Sequence, residues 1–179
     1  MVRWYVCPCY MMSTRTKCIH ITKSCFFTIG SYNCRGYNVG KRDYVNSLLC
    51  GVDVLCLQEH WLSDTQMALI GAINDSFAYS GVSGFDNSEI LHGRPYGGCA
   101  IMWRQDIGVR ANVLTVDSRR VCAVRLDADQ WKLLIVCLYM PYEEGESKTD
   151  DFIDQLGCIE YLINNNAACV ILLSVVILM

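Results

Sequence analysis

The segment VDVLCLQE (52–59) constrains this chain more than any other: an apolar run of strand length that stops abruptly in polar groups. A strand wetted on one face alternates apolar and polar residues, whereas a continuous apolar run needs cover on both faces. The chain must therefore supply layers on either side of a sheet. CFFTIGSYN (25–33), GGCAIMW (97–103) and CVILLSVVIL (169–178) have the same character, and RRVCAVRLDADQWKLLIVCLYM (119–140) predicts two strands joined at Asp127–Gln130. Between them lie helical patterns. Lys41 to Cys50 sets Tyr44, Val45, Leu48 and Leu49 on one face, and Ser63 with Gln66 predicts a capping box opening a helix that carries Met67, Ile70 and Ile73. Asp150 to Ile163 predicts a helix with Phe152, Leu156, Ile159 and Ile163 as its buried stripe. The class is mixed α/β with a partly antiparallel sheet.

A chain of 179 residues is one domain or a piece of a larger one. With 53% apolar and 18% charged residues and a mean hydropathy of +0.23, it is not a disordered tail. Net charge is −3, with seven acids against Lys148 in residues 143–160 and four cations (Arg3, Arg15, Lys17, Lys23) without an acid in residues 1–25. No basic stripe of a stand-alone nucleic-acid binder is present. The 12 cysteines sit mostly inside apolar runs (Cys56, Cys99, Cys122, Cys137, Cys169), where a thiol acts as a small buried hydrophobe. The first residues lack the apolar stretch of a secretory signal, so the expected location is intracellular, cytoplasmic or nuclear. Ala167 to Met179 is apolar but shorter than the roughly 20 residues of a spanning helix, which predicts a buried strand and no membrane partner. Residues 1–24 show no clear periodicity and read as an unstructured or unrelated extension ahead of a domain over 25–179. Cys7, Cys9, Cys18 and His20 allow a zinc site, but their spacing matches no standard finger.

Three strands end in groups suited to chemistry: Asn33 after FFTIGSY, Glu59 after VDVLCLQ and Tyr139 after KLLIVCL. Ends of adjacent strands converge on one rim of a sheet, where α/β folds build sites. Each residue also has a plain reading: a turn asparagine, a first solvated glutamate, a half-buried tyrosine.

At these residues the chain resembles the endonuclease/exonuclease/phosphatase superfamily, and more narrowly the apurinic-type endonuclease domain of non-LTR (LINE-type) retrotransposons. The resemblance rests on SYNCRGY (31–37), VDVLCLQEHWLSD (52–64), YGGCAIMWR (96–104) and VCLYMPYEE (136–144), in the family's order, and runs from about Cys25 to Val176. It implies the N-terminal part of a four-layer α/β sandwich, two packed mixed β-sheets flanked by helices. It implies that Glu59 binds a catalytic Mg²⁺ (or Mn²⁺), that Asn33 sits beside the metal and orients that carboxylate, and that the Tyr139 hydroxyl contacts the scissile phosphate. The implied reaction is metal-assisted hydrolysis of a DNA phosphodiester, with DNA as partner and the reverse transcriptase region of the same polyprotein beside it. A phosphatase of the same superfamily and a non-enzymatic interaction protein built on a relic of the domain are the rival expectations.

Two family segments are missing. A G-D-F-N segment should follow the next strand, and an S-D-H segment should supply the general base; neither occurs, and His20, His60 and His92 lie at none of the required positions. The chain is thus expected to be a truncated domain, inactive as it stands. Its last residues suggest a cause. Val176-Ile177-Leu178-Met179 can be encoded GTG-ATT-TTA-ATG; with G closing the Val175 codon, reading from that base gives GGT-GAT-TTT-AAT, or Gly-Asp-Phe-Asn. The nucleotide sequence of the locus is expected to show that motif out of frame, followed by the rest of the domain; without both, the frameshift idea fails.

Overall fold

The computed structural model describes residues 3–5, 14–22, 25–85, 96–140 and 146–177. Two sheets face each other. The first holds β1 (Arg3–Tyr5), β2 (Thr14–Thr22), β3 (Cys25–Asn33), β4 (Val54–Gln58), β5 (Phe77–Val82) and β6 (Cys99–Arg104), in the spatial order β1-β2-β3-β4-β6-β5. The second holds β7 (Arg110–Leu114), β8 (Val121–Asp127), β9 (Lys132–Met140) and β10 (Val170–Ile177), in the order β10-β9-β8-β7. Both are mixed: β3 runs parallel to β4 and β10 parallel to β9, and the remaining pairs are antiparallel.

The apolar runs are continuous because each of their faces meets a different layer. In β4, Val54 and Cys56 enter the core between the sheets, where they join Phe27, Ile101, Val124, Ile135 and Leu172. Leu55 and Leu57 point the other way, towards Val45 and Leu49 of α1 (Arg42–Leu49) and Ile70 of α2 (Ala68–Gly71). On β9, Leu134, Val136 and Leu138 face Ile159 and Leu162 of α3 (Glu146–Asn165). Three apolar interfaces thus separate four layers in the order helices, sheet, sheet, helix, the expected sandwich. The β8–β9 hairpin turns where anticipated, with Asp127 paired to Lys132 and Ala128 N–H donating to Trp131 O at 2.9 Å.

Several expectations need correction. Residues 14–22 are a strand, paired antiparallel to β3 from Thr14–Tyr32 onward, so the N-terminal segment is not wholly without regular structure. TRTKCIHIT is rich in β-branched residues, which suit a strand even where alternating cations hide the apolar pattern. Of the possible zinc quartet, Cys7 and Cys9 lie outside the described residues. The helix announced by Ser63 is brief: a 3-10 turn at Asp64–Gln66 and then the single turn of α2. Gln66 does cap it, its Oε1 accepting the Ser63 N–H at 3.2 Å. The chain then leaves the helix to bring Tyr79 against Gly71, where a Cβ would lie 2.4 Å from the ring. On α3, Leu156 is 47% exposed and Leu162 takes its place in the core, since the contacting face is centred on Ile159 and Leu162. Among the described residues no helix is long and apolar enough to cross a membrane.

Candidate functional site

Asn33 and Glu59 meet because β3 and β4 are parallel neighbours in a register that sets Asn33 opposite Gln58. The two strands end together, and the following backbone continues the pairing: Cys34 N–H donates to Gln58 O at 2.7 Å, Gly36 N–H to Glu59 O at 2.8 Å and Tyr37 N–H to His60 O at 2.8 Å. Asn33 Nδ2 donates to Glu59 Oε1 at 2.5 Å, and Asn33 Oδ1 accepts the Arg35 N–H at 3.0 Å. The asparagine amide is thus oriented from both ends and fixes one carboxylate oxygen of a glutamate that is only 5% exposed.

The backbone here is strained. Arg35 (φ 44°), Glu59 (φ 53°) and Trp61 (φ 59°) are the non-glycine residues with positive φ among the described residues, and all three lie in these two facing segments. Such conformations cost of order 1–3 kcal/mol each and persist only where the surroundings enforce them. Lys41 is one enforcer: its ammonium donates to the carbonyls of Cys34 (2.7 Å), Arg35 (3.2 Å) and Gly36 (2.7 Å). Gly36 is another, because its φ of +84° and the indole of Trp61, 2.4 Å from where a Cβ would stand, leave no room for a side chain.

Tyr139 arrives from the second sheet. It is buried on β9, its N–H donates to Arg120 O at 3.0 Å, and the Arg120 guanidinium carbon lies 5.6 Å from its ring centroid. Gly97 flanks the ring, a Cβ there standing 3.5 Å from the Tyr139 ring edge. Burial, then the negative charge of Glu59, push the phenol above its ordinary value, while Arg120 pulls it down. The hydroxyl is therefore a protonated donor at neutral pH, suited to an anion. All three residues singled out from strand ends thus gather at one rim.

His60 does not take part. Its Nδ1 accepts the Leu62 N–H at 3.0 Å and its Nε2 lies 3.1 Å from Val82 O, so the ring is a buried strut with its proton on Nε2. His92 lies outside the described residues and His20 sits on β2.

One feature of the site is invisible in the sequence. Gln58, fully buried beside Glu59, donates to Ser174 Oγ at 2.8 Å; Ser174 Oγ donates to Ser31 Oγ at 2.9 Å; Ser31 Oγ donates back to Gln58 Oε1 at 3.3 Å. This closed ring ties β3 and β4 to β10 across the two sheets, immediately below the carboxylate. The buried thiols around it, Cys99, Cys122 and Cys137, are pushed up chiefly by burial, and Cys56 chiefly by its hydrogen bond with Cys137. They are protonated and inert, as small hydrophobes in a core should be.

The profile of the Endonuclease/Exonuclease/phosphatase family matches residues 30–156, from the end of β3 into α3. The chain belongs to this family. Among solved structures it is similar to a 3′ phosphatase from Neisseria bound to a product DNA hairpin (18% identity, 83% of this chain and 56% of that one, TM-score 0.56). It is also similar to the endonuclease domain of TRAS1, a telomere-specific non-LTR retrotransposon (8%, 82% and 58%, 0.58). A third is a mannosyl-6-phosphatase from Bacteroides thetaiotaomicron (14%, 83% and 64%, 0.54). At these identities the likeness is one of fold. The chain spans just over half the length of the first of these structures. A search of curated proteins found no match.

The family is typically Mg²⁺-dependent. Among the described residues no group of three or more His, Cys, Asp or Glu side chains is placed to hold a metal ion. Mg²⁺, however, commonly keeps several waters and takes one or two carboxylates together with substrate phosphates. A nearly buried carboxylate with one oxygen held by Asn33 fits that mode. Glu59 would be the ligand and Asn33 its neighbour.

Proposed function

We propose that this chain carries the metal-binding half of a DNA-nicking phosphodiesterase site of the non-LTR retrotransposon type, and that the 179-residue chain does not turn over alone. The observation that carries the reading is the Asn33–Glu59 contact at 2.5 Å, with the Tyr139 phenol close enough to feel the Glu59 charge. Mg²⁺ bound to Glu59 would polarise a phosphoryl oxygen. Asn33 holds the carboxylate in place, and the Tyr139 O–H donates to the phosphate. QEHWL (58–62) and GGCAIMWR (97–104) favour the retrotransposon branch over the phosphatases. In an intact element the partners would be DNA and the reverse transcriptase region of the same polyprotein.

What is missing among the described residues is the base. The chain has three histidines, and the one beside the site, His60, is occupied at both ring nitrogens inside the core. Loss of general base catalysis alone forfeits about 10²–10⁴-fold in rate. The purified chain is therefore expected to leave supercoiled DNA intact in Mg²⁺ while still binding Mn²⁺ weakly. Mn²⁺ should broaden the NMR signals of the Asn33 side-chain amide and the Tyr139 ring, and Glu59→Gln should abolish the broadening. Mg²⁺-dependent nicking that disappears in Glu59→Gln would overturn the claim of an incomplete site. Absence of Glu59-dependent broadening would overturn the metal assignment.

A further inference from the structure

Arg120 stands at the entrance to β8, half-buried, with its guanidinium against the face of Tyr139. Its company sets it apart from three other arginines of the same molecule. Arg104, Arg119 and Arg125 each have a carboxylate nearby: Asp53 at 3.9 Å, Asp64 at 3.6 Å and Asp127 at 2.8 Å. Arg120 has no carboxylate within ion-pair distance among the described residues; its contacts are the Tyr139 ring and the backbone. A guanidinium carries five donors in a planar fork that matches a phosphate bidentately. A guanidinium lying over an aromatic face is attracted to it without using those donors. The Tyr139 N–H bond to Arg120 O, at 3.0 Å, further locks the two residues side by side. The rim therefore offers a cation whose guanidinium donors take no partner among the described residues, beside a protonated phenol that senses the Glu59 charge.

We propose that Arg120 binds the phosphate group of the substrate, with the Tyr139 hydroxyl as the second donor. The assignment rests on the reading of this rim as a phosphodiesterase site and adds to it the residue that receives the anion. It differs from a packing role in one respect: a packing arginine would leave anion affinity unchanged. The phosphate could belong to a nucleic-acid backbone or to a small phosphorylated sugar, and the guanidinium chemistry is common to both.

The test is an NMR titration of the whole chain with ¹³C-labelled tyrosine, following the Tyr139 ring signals at low salt. Inorganic phosphate, a short DNA duplex and mannose 6-phosphate are added in separate arms. Phosphate is expected to shift the Tyr139 signals saturably. Arg120→Gln should raise the midpoint about tenfold, the worth of a charge-assisted bidentate pair. Arg120→Lys, which keeps the charge but loses the fork, should fall between the two and carries the test if Arg120→Gln does not fold. Arg110→Gln, at the far end of the β7–β8 ladder where Arg110 pairs with Asp127, should match the unchanged protein. Saturation by duplex but not by the sugar phosphate names nucleic acid as the source, and the converse names a small ester; either supports Arg120. Equal midpoints with and without Arg120, or no response to any phosphate, overturn the proposal. Loss of the Glu59-dependent Mn²⁺ broadening with an intact phosphate response would sink the metal reading and leave this one standing.

Discussion

Gly98→Ala is expected to destabilise the chain by about 3–5 kcal/mol, a large share of the 5–15 kcal/mol of an ordinary domain. Two causes add. Gly98 has a φ of +81°, where an L-residue pays about 1–2 kcal/mol. A Cβ built there would stand 2.4 Å from His60 Cε1 and 2.7 Å from its Nε2. The imidazole cannot move aside, because both its nitrogens are engaged, with Leu62 N–H and Val82 O. Gly108→Ala separates the causes. It has a similar φ of +68° but nothing within 4 Å of the added methyl, so only the backbone cost of about 1–2 kcal/mol should appear. Urea unfolding of the two variants checks this, and equal midpoints would remove the steric part of the argument.

The same residues explain how the Asn33–Glu59 pair stands preformed. Glu59 and Trp61 are held in left-handed conformations by the backbone they face, and that backbone is held by Lys41 and by Gly36 under the Trp61 indole. His60, between them, is anchored to β5 through Val82 O and buttressed by Gly98. Every residue involved lies within residues 31–98 except Tyr139 and Ser174. The carboxylate geometry is thus set locally, which is why weak Mn²⁺ binding at Glu59 is the result expected under the proposed function.

The layers were legible in the sequence because strands covered on both faces write themselves as unbroken apolar runs. β3, β4, β6 and β9 are of this kind; β10 has the unbroken run but stands at the sheet edge with Val170 47% and Leu173 45% exposed, so the buried strand expected there is fully covered on one face only. β2, β5 and β7 lack such a run, and they went unseen. β7 (RANVL) is an edge strand of exposed and half-exposed residues, and β5 (FAYSGV) is buried only at Phe77. The three strand-end residues were legible through their position and their family motifs. Gln58, Ser31 and Ser174 were not, because a closed hydrogen-bonded ring depends on the register between two sheets, 27 and 116 residues apart along the chain from Gln58. Arg120 escaped for a related reason: its neighbour Tyr139 is fixed by the β8–β9 hairpin register, and an arginine before a strand carries no signal of its own.

Acid is expected to weaken the fold through His60 in a window that can be stated. Burial, the largest influence, pulls the imidazole down from 6.5 to about 4, against the opposing hydrogen bonds to the Val82 and Cys99 backbone. In the unfolded chain the ring takes up a proton near 6.5; in the folded one it resists until about 4. The unfolded state therefore binds more protons between these values, and stability falls as pH falls through them. Above 6.5 the contribution is fully present; at about 4 most of it is gone, a loss of about 3 kcal/mol at roughly 1.4 kcal/mol per unit. Protonation would also strip Nδ1 of its acceptor role, leaving the Leu62 N–H unpaired in the core. Carboxylates titrate in the lower part of the same range, so the comparison needs a partner variant. His60→Gln can accept from Leu62 N–H and donate to Val82 O without titrating. Urea unfolding from pH 7 down to 4.5 should show a steep loss of stability in the unchanged chain and a shallower one in His60→Gln. Parallel curves would mean that the histidine is protonated as easily folded as unfolded, and that the buried strut carries no pH dependence.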